Sequence, residues 1–187
     1  MRLFIAAYPP GEVLAHFKEL ASTLWLAQPQ PLGRSLRFES TERWHITLAF
    51  LGEVPEERAE AAAAALPKGG RPVRLSIAGG GRFGEGRFTV VWAGLRGDID
   101  GLHALSTGIR ARLTDNRLAF DQRPLQPHLT LARPRDRLRP DRLAEDLHAL
   151  DRYQGPEWTM DDVRLMRSYL GRPPRYETLA RTTDQAK

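Results

Sequence analysis

Two histidines in this chain keep the same company. His45-Ile46-Thr47-Leu48-Ala49 recurs 83 residues later as His128-Leu129-Thr130-Leu131-Ala132. In an extended chain alternate side chains share a face, so His45 and Thr47 project together while Ile46 and Leu48 turn toward a core, and the second copy does the same. Two such strands facing one cleft offer two imidazoles and two hydroxyls to one small ligand. Histidine titrates near neutrality, so one ring can hold a proton while the other lacks one. The threonine hydroxyls can donate to non-bridging phosphate oxygens. That equipment suits acid–base chemistry at phosphorus. His16, His103 and His148 sit in helical patterns without such neighbours and read as ordinary surface or packing residues.

The rest of the composition narrows the chemistry by exclusion. There is no cysteine, which removes disulfides, thiolate nucleophiles and cysteine-based zinc sites. No carboxylate–histidine cluster has metal-ligand spacing, and Asp161-Asp162 reads as a turn, so neither a metal nor a cofactor is expected. Gly79-Gly80-Gly81-Arg82-Phe83-Gly84 satisfies the dinucleotide-binding glycine pattern, but a strand-like run follows it where that site requires a helix. A flexible hairpin loop at the cleft rim is the expectation. There is no phosphate-binding loop, so ATP-driven ligation is unsupported. The net charge is +5, carried by 25 Arg and only three Lys. The arginine fork suits phosphate, which fits a polyanionic partner, although Ala- and Arg-rich coding bias produces the same excess. Met1 to Tyr8 is too short for a secretory leader, and no apolar run approaches the about 20 residues of a membrane span. A cytoplasmic monomer without membrane contact is expected.

The surrounding pattern supplies the elements that must position the motifs. Arg2 to Tyr8 reads as a strand closed by Pro9-Pro10. Val13, Phe17, Leu20 and Leu24 form one helical face. Ser35 to Phe38 suggests a short strand and Trp44 to Leu51 a stronger one. Pro55 to Leu66 is Ala- and Glu-rich, hence helical. Val73 to Ala78 and Phe88 to Leu95 look like strands flanking the glycine loop. Asp98 can cap a helix running to about Thr114. Leu125 to Ala132 is a strand, and Arg139 to Leu150 a helix. Trp158 to Leu170 and Tyr176 to Arg181 make a final strand pair. Arg133 to Arg142 is a charge run between elements. The order predicts an α+β fold with mainly antiparallel pairing in a single domain, residues 1–187, whose last residues, 184–187, form a flexible tail.

The paired His-x-Thr-x motifs resemble those of the two-histidine phosphoesterases. More closely, the chain resembles the RNA 2′,3′-cyclic phosphodiesterases, historically called 2′-5′ RNA ligases. The resemblance rests on Met1 to Ala6, Trp44 to Val54, Val91 to Leu95 and Pro127 to Arg133, in that order. It implies a bilobal fold in which two antiparallel sheets with outer helices flank a cleft, each lobe supplying one motif. It also implies hydrolysis of an RNA 2′,3′-cyclic phosphate to a 2′-phosphate, with His128 as general base and His45 as general acid. Thr47, Thr130 and Arg133 would hold the phosphate, and Phe50 would stack on a base. RNA ends or cyclic nucleotides are the implied partners. The alternatives are cleavage or formation of a 2′-5′ linkage, a small cyclic nucleotide as substrate, or a non-catalytic module that binds RNA ends. Phe50 and Arg133 each lie five residues after a histidine, an odd offset that a regular strand would aim away from it. A bulge or strand end is required at both places.

Overall fold

The computed structural model describes residues 1–29, 36–69, 71–134, 139–171 and 174–182; the expected tail, Ser35 and the centre of the charge run after Arg133 lie outside them. The opening strand, β1 (Arg2–Ala7), is apolar from Leu3 onward because both of its faces are covered there. Leu3, Ile5 and Ala7 enter the main core, while Phe4 and Ala6 join Tyr8 and Met166 in a second, smaller cluster. Helix α1 (Gly11–Ala21) buries Val13, Phe17 and Ala21. Leu24 is buried just past its end, before a 3-10 turn at Trp25–Ala27. After β2 (Ile46–Glu53), the helix expected from Pro55 to Leu66 is a 3-10 turn, Glu56–Arg58, and a short α2 (Ala59–Ala63); Ala65 and Leu66 leave it to fill the core.

The glycine-rich stretch is not a loop. It is the second half of β3 (Val73–Phe83), which pairs with β4 (Val90–Gly97). A Cβ on Gly80 would stand 2.7 Å from Leu150 Cβ, and one on Gly81 would overlap the Trp92 ring. The glycines admit these side chains against the strand, a recognised use of glycine within a sheet. Asp98 caps α3 (Ile99–Asp115), accepting from the Gly101 N–H at 3.0 Å. The next strand, β5, is only Leu129–Ala132, because Pro127 has no N–H to give a ladder. Helix α4 (Pro140–Asp151) follows. The stretch Trp158 to Leu170 is divided at Asp161-Asp162 between β6 (Gln154–Met160) and β7 (Val163–Tyr169), which belong to distant parts of the sheet, and β8 (Arg175–Arg181) pairs with β7. Of the short strand expected at Ser35 to Phe38, the described residues, Leu36 to Phe38, contribute one bridge, Phe38 to Ala132.

The strands form one eight-stranded antiparallel sheet in the order β6-β3-β4-β5-β2-β1-β7-β8. Its two four-stranded halves meet between β5 and β2, where Ile46 and Leu129 are the paired residues. Helix α1 packs on β6, α3 on β2 and β3, and α4 on β3. They cover the face into which Ile46, Leu48, Leu129 and Leu131 project, all at most 1% exposed. The opposite face of the seam is left for the histidines.

Candidate active site

Ile46 and Leu129 each hold the second position of their motif, and they face each other across the seam. The two motifs therefore run antiparallel about a local two-fold axis at this pair. One residue to either side, each histidine comes alongside the other motif's threonine. His45, Thr47, His128 and Thr130 are half-buried, and together with Phe50 and Arg133 they line one cleft of roughly 710 Å³. All six side chains singled out in the sequence are thus brought together.

The odd offset is resolved by bulges. Along β1 and β2, Ile5 faces Ala49 while Ala6 faces Thr47, so Leu48 is the additional residue. Along β4 and β5, Val91 faces Ala132 while Trp92 faces Thr130, so Leu131 is additional. These are equivalent positions, three residues after each histidine. Each bulge flips the alternation, which turns Phe50 and Arg133 back to the histidine side. A bulge frees a ladder carbonyl, and both are satisfied from elsewhere. The Ser106 hydroxyl donates to Leu48 O at 2.7 Å, and the Glu39 N–H donates to Leu131 O at 2.7 Å.

The two imidazoles have different surroundings. His128 Nδ1 lies 2.6 Å from Gln126 O, so Nδ1 carries the proton and donates it to that carbonyl. In the neutral ring Nε2 is then the free acceptor. Phe83 meets this ring edge-on at 4.9 Å, with Trp92 behind at 6.3 Å. Burial, and then the nearby Arg133 charge, pull its pKa below the usual histidine value, while the Gln126 carbonyl acts the other way. His45 is enclosed by Phe4, Tyr8 and Tyr176 at centroid distances of 5.1, 5.5 and 5.6 Å. Loss of water around it lowers its pKa to about 4; the Arg43 backbone opposes this, and His128 adds to it. The Arg43 contact falls short of a full hydrogen bond, so His45 Nδ1 is buried and unpaired.

Sequence reasoning did not single out Arg2, Arg37, Arg43 and Tyr176, which line the same cleft. Arg2 lay within a segment that carried the family resemblance, but nothing marked its side chain. Tyr176 carried no signal beyond belonging to a strand. The Arg2 guanidinium lies 4.9 Å from the Phe50 ring centroid, and Arg43 pairs with Glu39 at 2.8 Å. Among the described residues no three histidines or carboxylates converge as metal ligands. No helix among them is long and apolar enough to cross a membrane.

A family model described as the 2′-5′ RNA ligase superfamily matches residues 10–172. The chain belongs to this superfamily. Its curated relatives include proteins named RNA 2′,3′-cyclic phosphodiesterase. One from Thermus thermophilus is 30% identical over 91% of this chain and 83% of its own length. One from Escherichia coli is 31% identical over 71% of each. A third, from Geobacillus stearothermophilus, is 33% identical over 74% of this chain, but the match spans only 45% of that protein. Among solved structures, a Thermus thermophilus protein superposes with a TM-score of 0.72 at 28% identity, covering 97% of this chain and 96% of that one. E. coli LigT complexed with 3′-AMP superposes with a TM-score of 0.69 at 25% identity, over 96% and 95%.

Proposed function

We propose that this chain is a phosphodiesterase that opens RNA 2′,3′-cyclic phosphate ends to 2′-phosphates, with His128 as general base and His45 as general acid. The observation that carries the reading is the convergence of two His-x-Thr motifs about a local two-fold axis, with one histidine already tied through Nδ1. The relatives' names supply the substrate class. Neutral His128 takes a proton from water through Nε2 as the water oxygen bonds to phosphorus. The P–O3′ bond breaks, and His45 delivers its proton to O3′, leaving a 3′-hydroxyl and a 2′-phosphate. Thr47, Thr130 and Arg133 hold the phosphoryl oxygens, where charge builds in the transition state. Phe50 offers its face to the terminal base. The two halves of the sheet, each carrying one motif, act as two lobes around the cleft, and the protein works as a cytoplasmic monomer.

The free protein favours both rings neutral, whereas the reaction needs His45 charged. The arriving phosphodiester anion supplies the opposite charge that raises the His45 pKa where it is needed. The test is incubation of an RNA ending in a 2′,3′-cyclic phosphate with the protein and EDTA, followed by assignment of the product phosphate. A 2′-phosphate formed under chelation is expected. A 3′-phosphate, or dependence on an added divalent ion, would refute the mechanism, and binding without turnover would leave only an RNA-end-binding module.

A further inference from the structure

The cleft has more cationic lining than one cyclic phosphate uses. Beyond the two histidines, the two threonines and Arg133, it presents Arg2, Arg37 and Arg43, and Glu39 is the only carboxylate among its described lining residues. Glu39 engages one nitrogen of Arg43, which leaves further N–H donors on that guanidinium. The strand register orders these groups. Moving along β2 away from His45, the cleft face offers Thr47, then Phe50 opposite Phe4, then the level of Arg2, which faces Ser168 on β7. Ser168 in turn faces Tyr176 on β8. Arg2 reaches back over Phe50, and Arg43 lies 6.0 Å from the Tyr176 ring centroid. The Tyr176 phenol, its pKa raised first by burial, lies in the fields of Glu39, Arg43, Arg133 and Arg2 together. Chemistry, base platform and Arg2 therefore follow one another along the sheet, while Tyr176, whose ring also meets His45 at 5.6 Å, brings Arg43 in from the histidine end.

We propose that Arg2 and Arg43, with the hydroxyls of Ser168 and Tyr176, form a second anion site that binds the internucleotide phosphate on the 5′ side of the cyclic end. This rests on the phosphodiesterase reading and specifies its substrate: an RNA chain of at least two nucleotides rather than a free cyclic nucleotide. Arginine suits the role because its planar fork grips phosphate oxygens while its face still lies on Phe50.

The experiment compares three substrates: a mononucleoside 2′,3′-cyclic phosphate, the dinucleotide bearing the same cyclic end, and that dinucleotide with an uncharged methylphosphonate between its nucleosides. The native protein should show kcat/KM about tenfold higher for the charged dinucleotide than for either other substrate, the usual worth of one charge-assisted contact. Arg2→Gln should collapse that ratio and lessen the slope of log kcat/KM against log salt by about 0.7. A thermal melt reports whether the variant folds; if it does not, the methylphosphonate comparison on the native protein still decides. Equal turnover of all three substrates would overturn the second site and leave the phosphodiesterase reading intact. An equal loss on mono- and dinucleotide in Arg2→Gln would overturn it too, by showing that Arg2 acts only through Phe50. No turnover of any of the three would overturn both readings.

Discussion

His128 enters the cleft with one nitrogen committed to the Gln126 carbonyl. His45 enters with its buried nitrogen uncommitted and its ring among aromatics. In the proposed mechanism that difference distributes the roles, and no sequence pattern could have shown it, because the two motifs are nearly identical. Either His45→Ala or His128→Ala should lower turnover by about 10²–10⁴-fold, the usual worth of a general acid or base. Near-native turnover by either variant at saturating substrate would remove the pair from the mechanism. The pH dependence follows from the direction of the two shifts. Residue types alone suggest a bell between roughly pH 5 and 8. With His45 near 4 and His128 lowered from 6.5, the kcat/KM bell of the free protein should lie on the acid side of neutrality. The kcat profile reports the complex, where the bound anion raises both values, so its optimum should sit at higher pH. Coincident optima, measured with one cyclic-phosphate substrate, would contradict this account.

At the scale of elements, the two bulges decide which side chains reach the cleft. The odd five-residue offset made them foreseeable, since Phe50 and Arg133 could not otherwise join their histidines. What holds the bulges was not legible, because Ser106 lies 58 residues from Leu48 and meets it only through packing. Ser106 is 2% exposed, so Ser106→Ala strands a buried carbonyl and should cost about 1–3 kcal/mol. The same loss should loosen the turn that aims Phe50 and raise KM before it touches kcat. A Ser106→Ala protein with a lower melting temperature but native KM would confine Ser106 to stability. Phe50→Ala should raise KM for RNA ends of every sequence, since stacking is worth about 1–3 kcal/mol per base and is nearly blind to base identity. Phe50 also packs on the Phe4, Ala6, Tyr8 and Met166 cluster, so a melt must accompany the kinetics. In the proposed mechanism Arg133 faces charge that grows in the transition state, so Arg133→Ala should lower kcat as well. Misreading Gly79 to Gly84 as a loop has an equally nonlocal cause: the side chains that need those glycines, Trp92 and Leu150, come from other elements.

At the scale of the whole molecule, most strands and helices could be read from alternation and 3.6-residue periodicity. The joining of the halves into one sheet could not, since it depends on a single pair, Ile46 with Leu129. Enclosing an imidazole there has a stability consequence whose sign is fixed. The folded His45 pKa, about 4, lies below the ordinary 6.5, so the unfolded chain binds the proton more readily. Stability is therefore retained above pH 6.5 and lost as pH falls toward 4, by up to about 3 kcal/mol. Asp121, held down to about 2 by Arg123, titrates below that window. Melting temperatures from pH 7 to 4 should fall for the native protein and fall less for His45→Gln. Parallel curves would place the acid sensitivity elsewhere.

The strand order has a further consequence for how the chain becomes a protein. β3, β4, β5 and β6 come from one uninterrupted stretch, Val73 to Met160, whereas β1 and β2 must wait for β7 and β8, more than a hundred residues on. One half of the sheet is thus an insertion within the other. On a ribosome the inserted half can assemble while β1, apolar from Leu3 onward, still lacks the strand that covers its far edge. Pairings between such distant segments form late and slowly. Pulse-labelled hydrogen exchange during refolding should protect the β3–β4 amides before those shared by β1 and β7, and the His45 pocket should be the last part of the cleft to close, because Tyr176 arrives with β8.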